Sequence, residues 1–503
     1  MKDKTGAEGK SWRRRAWILL LGVVLFRLIY AWIYPFTLSG DEAYYWDWGR
    51  HPAWGYYSKP PLIGWIMALL RILHADSGPL IRSASALIGT GTLSLIYALT
   101  ARLFSPRAGF WALCVTVSTL GNAALNICMT TDAPLTLFWC GALYSFWRLM
   151  ENPSRRWSFW LILCIGLGVI SKQMMLLFFP IALIALSLMP EKRNLLRRPL
   201  LWISGLVPLL FLIPSFLWNA QHDWITFQHT AHHIETQSFS ILKSLAQTGE
   251  FLGSQLGLAT PITFVLLIVV FFLLFRRWNS LRSAERYLLV FSAPPMVLFL
   301  LLSFKLEVNP NWPLVFYLPG TLLLAGTCCK QGGRLFSWMK RGMILGAVLT
   351  VLFYSTLVIL PATGMDITRV APFRQISGWA EYGEAVARVQ QQLPDPGNTM
   401  LIVTGHRAST ATLAFCHPDR PTVYRWDSDP SFINNQYDIW PGPSGEESNA
   451  LLIAYGGGSV PAKLAAHFES VTLLESIEIP PNAHKPKRYT FYYATGWKDN
   501  ESK

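Results

Sequence analysis

The chain has 503 residues, of which 52% are hydrophobic and only 14% charged, and it carries 22 tryptophans and a net charge of +14. A soluble protein normally has about 25% charged residues, whereas here the apolar residues gather into blocks of roughly 17–25, the length that crosses a ~30 Å hydrocarbon core as helix. Composition excludes an ordinary soluble enzyme and predicts a polytopic helical membrane protein; the basic residues sit in short loops between apolar blocks, so topology and membrane lipid headgroups account for them better than a nucleic acid partner, and none is expected.

The first apolar block follows Arg13-Arg14-Arg15 and runs from about Ala16 to Phe36 with no small-residue cleavage site after it, as a signal anchor would. Eleven spans are predicted: 16–36, 80–103, 109–128, 132–149, 157–170, 174–190, 199–218, 257–275, 287–304, 313–329 and 342–361. With the N-terminus inside, Arg107, Arg155 and Arg156, Arg197 and Arg198, Arg276 and Arg277, and Lys340 and Arg341 all fall in inside loops, as the positive-inside rule requires. The outer face then carries Asp41, Lys59, Asp132, the 219–256 loop, Lys305 and the tail. Residues 58–74 are apolar but short and open on Pro60-Pro61, which reads as a helix lying in the interface. After Pro361 the chain turns polar. Short β-type runs at Met400–Thr404, Thr422–Trp426, Leu451–Tyr455, Val471–Ile479 and Arg488–Ala494 alternate with helix-compatible stretches at Ala408–Phe415 and Pro461–Phe468. The fold class expected is mainly α: a transmembrane bundle over 1–361 with interfacial helices in its outer loops, and a small α/β domain over 362–503 outside the membrane.

Chemistry concentrates in Gly40–Leu62, GDEAYYWDWGRHPAWGYYSKPPL. Asp41 and Glu42 can bind hydroxyls or take their protons, and the aromatics that follow them (Tyr44, Tyr45, Trp46 and Trp48) offer faces for sugar C–H surfaces. The same acid pair would also suit the start of a helix. Lys59, held before two prolines, fits a point charge on a departing phosphate; snorkelling to headgroups is the plain alternative. Asp132 opens a span and is either an N-cap or a second acidic site residue on the face that carries Asp41. Lys172 and Lys305 fall on the outer side as headgroup contacts or further ligands of a donor phosphate. Arg27 sits inside the first span, where a charge costs ~2.5–3.5 kcal/mol and should face protein. His229, His232 and His233 share i, i+3, i+4 spacing, which suits a polar interfacial face and also makes a divalent ion a candidate ligand. The seven cysteines form no disulfide or zinc framework, and there is no P-loop or other nucleotide signature.

These motifs resemble the bacterial membrane glycosyltransferases of the GT-C fold that use polyprenyl-phosphate sugars, the group that includes the protein mannosyltransferases (glycosyltransferase family 39) and the lipid A aminoarabinose transferases. The residues that carry the resemblance are Asp41-Glu42-Ala43-Tyr44-Tyr45, Tyr56-Tyr57-Ser58-Lys59-Pro60-Pro61-Leu62, Thr131-Asp132-Ala133-Pro134 and Asn311-Trp312-Pro313, with Leu413-Ala414-Phe415 and Gln436-Tyr437-Asp438-Ile439-Trp440-Pro441 in the tail. The resemblance implies that Asp41 is the catalytic or substrate-orienting carboxylate, that Lys59 contacts the donor phosphate with Tyr45, Tyr56 and Tyr57 as sugar- or lipid-binding neighbours, and that Asp132 is a second acid of the site. The aminoarabinose transferases usually carry Glu before the K-P-P lysine, where it can help bind a metal; this chain has Ser58, and the mannosyltransferases need no metal. The expectation is a bacterial inner-membrane enzyme that moves a hexose or pentose from undecaprenyl phosphate to lipid A, another envelope glycan or protein. A transporter or flippase of lipid-linked saccharides would share the basic inside loops and the aromatic outer face. It would usually show repeated halves, and no repeat is evident.

Overall fold

The computed structural model describes residues 2–232, 240–369, 371–427, 433–443, 448–480 and 483–498. In chain order the helices used below are α1 (Lys2–Ile33), α2 (Gly40–Arg50), α3 (Leu62–Ile72), α4 (Gly78–Leu103), α5 (Pro106–Val117), α6 (Leu120–Leu125), α7 (Asp132–Glu151), α8 (Arg155–Val169), α9 (Phe178–Ser187), α10 (Pro199–Leu206), α11 (Ile213–Ala220), α12 (Ile225–His232), α13 (Ile241–Ala259), α14 (Pro261–Arg276), α15 (Ser283–Ser303), α16 (Leu314–Gln331), α17 (Gly333–Ala362), α18 (Ala371–Ile376), α19 (Trp379–Gln391) and α20 (Arg407–Cys416). The strands are β1 (Thr399–Thr404), β2 (Val423–Trp426), β3 (Asn449–Tyr455), β4 (Ser470–Ile479) and β5 (Lys487–Thr495). They divide into two compact units: Met1–Trp32, Lys59–Leu62 and Pro79–Thr356 make the first, and Ile33–Ser58, Ile63–Gly78 and Leu357–Lys503 the second.

The first unit is a helical bundle with an aromatic centre. Trp139 of α7 meets Phe178 of α9 and Phe316 of α16 edge-on, each at 5.3 Å between ring centroids, and Phe291 of α15 lies 5.0 Å from Phe178. Such pairs add about 0.5–1.5 kcal/mol each beyond the area they bury. The buried Tyr287 hydroxyl donates to the Leu143 carbonyl at 2.9 Å, so the polar tip is satisfied inside the apolar centre. Among the described residues five helical segments are long and apolar enough to cross a membrane, Ala7–Ile33, Gly78–Leu103, Pro199–Ala220, Ser283–Ser303 and Gly333–Ala362, and a sixth arises if α13 and α14 are one bent span. The other expected segments form shorter or less apolar helices. In α7 and α16 the reason is burial: most of their side chains face protein rather than lipid, which frees their composition. The expected span 257–275 starts instead at Pro261, where α13 and α14 meet at 102°. Pro261 has no N–H to continue α13, and Thr260 takes φ 66° at the corner.

The second unit is a five-stranded sheet in the order β2-β1-β3-β5-β4, with β1 parallel to β2 and β3, and β5 antiparallel to β3 and β4. All five strands coincide with the sequence expectation to within two residues. β1 and β3 are nearly continuous buried runs, as strands covered on both faces must be. Met400, Ile402, Ala450, Leu452 and Ala494 pack with Leu464 and Phe468 on one face, while Leu401, Val403, Leu451, Ile453 and Phe491 are buried as well.

The expected boundary at residue 361 lies close to Leu357, where the tail part of the second unit begins. Of the first outer loop, the stretches up to Ser58 and from Ile63 to Gly78 group with the tail and Lys59–Leu62 with the bundle, and much of the loop is helix. Ser39 caps α2, its hydroxyl accepting from the Glu42 N–H while the Glu42 carboxylate accepts from the Ser39 N–H, which is a capping box. Eight α2 residues are buried, and α20 supplies part of their cover: Trp46 meets Phe415 edge-on at 5.1 Å, and a Cβ added at Gly40 would lie 2.7 Å from that of Ala408.

Candidate active site

The α2 capping box sorts the two adjacent acids. Glu42, which the sequence expected to share the chemistry, is fully buried, and its carboxylate accepts from the Ser39 N–H in the cap. Asp41 turns outward, with its side chain 60% exposed, and accepts from Arg407 Nη2 at 3.3 Å. Arg407 opens α20, and its guanidinium lies 5.0 Å from the centre of the Tyr44 ring. It is also within electrostatic reach of Tyr45 and Tyr57. Burial raises the Tyr44 and Tyr57 hydroxyls above the usual tyrosine range, and the nearby cation opposes the shift. The His406 imidazole is pushed below its ordinary value by burial first and by Arg407 second.

The tail motif around Gln436 clasps the other side of α2. The Gln436 N–H donates to the Tyr44 hydroxyl at 2.6 Å, and Gln436 Oε1 accepts from the Tyr57 N–H at 2.7 Å. The Tyr437 hydroxyl donates to the buried Asp47 carboxylate at 2.7 Å, and Trp440 lies 4.5 Å from the His51 ring. Burial raises the Asp47 carboxyl above the ordinary aspartate range, against the pull of Arg50 and Tyr437. Tyr56, expected beside the sugar, is packed inside the loop. It is fully buried, stacks on Trp48 at 4.2 Å, donates to the Trp48 carbonyl at 3.1 Å and accepts from the Ala53 N–H. Burial pushes its hydroxyl up to about 12.

Three segments of the first unit meet at Asp132, and the K-P-P segment bonds to one of them. The K-P-P segment is tied to the end of α8 by the Leu62 N–H, which donates to the Ile170 carbonyl at 3.0 Å. Two residues on, Lys172 Nζ donates to Asp132 Oδ1 at 2.7 Å, and Asn311 Nδ2 donates to Asp132 Oδ2 at 2.7 Å. Asp132 and Lys172 are both buried. Asp132 is the first residue of α7, after Thr131, and its side chain bonds across the bundle instead of capping its own helix. Lys172, expected at headgroups or on the donor phosphate, has its ammonium on Asp132. Lys59 is half-buried, and Lys305 is exposed just beyond α15. Arg27 faces protein, as its cost in lipid demands, and donates through Nη2 to Asn122 Oδ1 at 2.5 Å. Asn122 gave no signal within its apolar stretch, and Arg407 gave none in the tail.

Of the three histidines, His229 lies on α12, while His233 and the side chain of His232 lie outside the described residues. Among the described residues no three His, Cys, Asp or Glu side chains come together as a metal cage.

Residues 58–218 match the model of the family described as dolichyl-phosphate-mannose-protein mannosyltransferase. The lipid A galacturonosyltransferase RgtD of Rhizobium johnstonii is 26% identical over 410 residues, which cover 80% of this chain and 82% of the relative. The crystal structure of ArnT from Cupriavidus metallidurans in the apo state aligns with a TM-score of 0.64 at 15% identity, covering 95% of this chain and 97% of ArnT. The same protein bound to undecaprenyl phosphate aligns with a TM-score of 0.62 over 94% of this chain. The chain has the GT-C fold, and the resemblance drawn from the D-E and K-P-P motifs is borne out.

Proposed function

We infer that this chain is a membrane glycosyltransferase of the GT-C fold that carries a sugar from an undecaprenyl-phosphate donor to lipid A or another envelope glycan. Support comes from the likeness to RgtD along most of both chains and from the fold shared with ArnT. The observation that carries the residue assignment is the sorting of the acids on α2: Glu42 is inward and capping, Asp41 outward and open to a substrate. The anomeric carbon loses the lipid phosphate while an acceptor oxygen attacks from the opposite face, with inversion. Asp41 orients the acceptor, and takes its proton where the acceptor is a hydroxyl. An acceptor phosphate arrives ionised and needs no base. Lys59, stiffened by Pro60 and Pro61, offsets charge growing on the departing phosphate. The Lys/Arg bias of the loops supports an inner-membrane location with the N-terminus in the cytoplasm and the C-terminal unit in the periplasm.

Mass spectra of lipid A and surface glycans, with and without the gene, test the reading: one sugar mass should disappear. In purified, reconstituted protein, Asp41→Asn and Lys59→Ala should each slow transfer by about 10²-fold or more while the protein stays monodisperse. Near-normal rates for both would remove Asp41 and Lys59 from the chemistry. Movement of lipid-linked sugar between leaflets with no new glycosidic bond would turn the reading toward transport.

A further inference from the structure

We propose that the cleft between α14 and α15 binds an anionic phospholipid, whose acyl chains fill the cleft and whose phosphate lies on Arg276 and Arg277. The cleft has a volume of about 890 Å³, the size of a ligand pocket. Its walls are one stripe from each helix: Ile268, Phe272 and Phe275 of α14, and Val290, Pro294 and Val297 of α15, each set at the i, i+4, i+7 spacing of a single helical face. Phe272, Phe275 and Val297 are more than half exposed, so the cleft opens sideways, toward the acyl chains around a spanning helix. Charge gathers at one end. There Trp278 and Asn279, in the turn between the two helices, close the cleft, and two guanidiniums lie on lining rings: Arg276 over Phe272 at 5.6 Å and Arg286 over Trp278 at 5.7 Å. Arg286 is engaged, donating to the Trp278 and Asn279 carbonyls at 3.3 Å each and facing Glu191 at 3.9 Å. Glu285 is held by Arg282 at 3.0 Å and Lys330 at 3.1 Å. Arg276 and Arg277 are exposed and pair with no carboxylate among the described residues. They are the cations left for a phosphate, whose oxygens suit the guanidinium fork. At the opposite end Gln255 and Tyr317 line the cleft but satisfy each other. The Tyr317 hydroxyl donates to Gln255 Oε1 at 3.0 Å, and Gln255 Nε2 donates to the Pro310 carbonyl at 3.1 Å. No lining residue at that end is charged, so the headgroup belongs at the arginine end. An apolar cleft between spanning helices that ends in a basic turn is what a lipid with a negative headgroup requires. The bound lipid closes a seam that α14 and α15 leave open, and a ligand of the folded state alone stabilises the bundle.

The test titrates full-length protein in detergent micelles with phosphatidylglycerol and, separately, with phosphatidylcholine of the same acyl chains. Bound lipid is read by native mass spectrometry and by melting temperature. Phosphatidylglycerol should bind about tenfold to thirtyfold more tightly, the scale of two cations acting on one headgroup, and should raise the melting temperature further. Arg276→Gln combined with Arg277→Gln should remove that preference and leave weak binding of both lipids. Val297→Trp, which fills the cleft from its lipid-facing wall, should weaken both lipids with the arginines intact. Equal affinity of wild type for the two lipids overturns the proposal, and so does a double variant that keeps the preference. Undiminished phosphatidylglycerol binding by Val297→Trp overturns it too, since the headgroup then adheres to the turn alone. Undecaprenyl phosphate that displaces phosphatidylglycerol and binds the double variant as tightly as wild type would give the cleft to a prenyl chain anchored at its other end, and overturns it as well.

Discussion

At the scale of single residues, charge placement separates exposed candidate groups from buried ones that hold each other. Asp132 and Lys172 are a buried ion pair with Asn311 as third member. Removing one partner of such a pair strands the other charge, at a cost of about 3–5 kcal/mol, whereas replacing both is far milder. Lys172→Ala should therefore lower the melting temperature of the detergent-solubilised protein much more than Lys305→Ala, whose side chain is exposed, and Asp132→Asn combined with Lys172→Met should recover part of the loss. Asp47 gives a pH signature. Its carboxyl is raised in the folded chain, mainly by burial, so the folded state holds that proton more tightly than the unfolded one. Its stabilising contribution is fully present below about pH 4, the unfolded aspartate value, and is lost as pH rises through the raised folded value. Melting curves recorded upward from pH 4 should fall less steeply for Asp47→Asn than for wild type; identical slopes would show that Asp47 does not govern this range.

At the scale of elements, α2 and α3 cross without room for a methyl group. A Cβ on Gly49 would sit 2.6 Å from that of Met67 and 2.8 Å from the Ala68 nitrogen. Gly49→Ala has to push backbone apart, and overpacking of this kind costs about 1–3 kcal/mol despite the better helix propensity of alanine; thermal unfolding would report it, and a stabilised variant would mean that the two helices are not so close. The strands are readable in the sequence because apolar and β-branched runs of five to nine residues, bounded by Gly, Pro and Asp, have few other uses outside a membrane. α2 is not. Its tyrosines and tryptophans look like a display surface, and only the fold shows that Trp48 is buried and stacked on Tyr56 from the loop beyond the helix. The motif at Gln436–Pro441 was visible as a motif, but its grip on Tyr44, Asp47 and Tyr57 required a fold to bring it there. Arg407 was invisible for the same reason: nothing local marks a tail arginine that meets a carboxylate 366 residues away.

At the scale of the whole molecule, Ile33–Ser58 and Ile63–Gly78 of the outer loop form one folded unit with the tail. Deleting 362–503 should do more than remove an accessory domain. It strips cover from Tyr44, Trp46 and Asp47, taking Tyr437 from the Asp47 carboxylate, the Gln436 N–H from the Tyr44 hydroxyl and Phe415 from the Trp46 ring. Transfer should be lost, and limited proteolysis should cut within 40–58 in the truncated protein but not in the full chain. Retained transfer with a protected loop would mean that α2 stands alone.

The same interleaving imposes an order on biogenesis. α2 leaves the ribosome hundreds of residues before Arg407 and Gln436 exist, a wait of roughly 20–70 s at about 5–20 residues per second. Throughout that interval a short, greasy helix must be sheltered by the lipid surface or by a chaperone, so slowed translation of the middle of the gene would damage yield without touching any residue that contacts sugar.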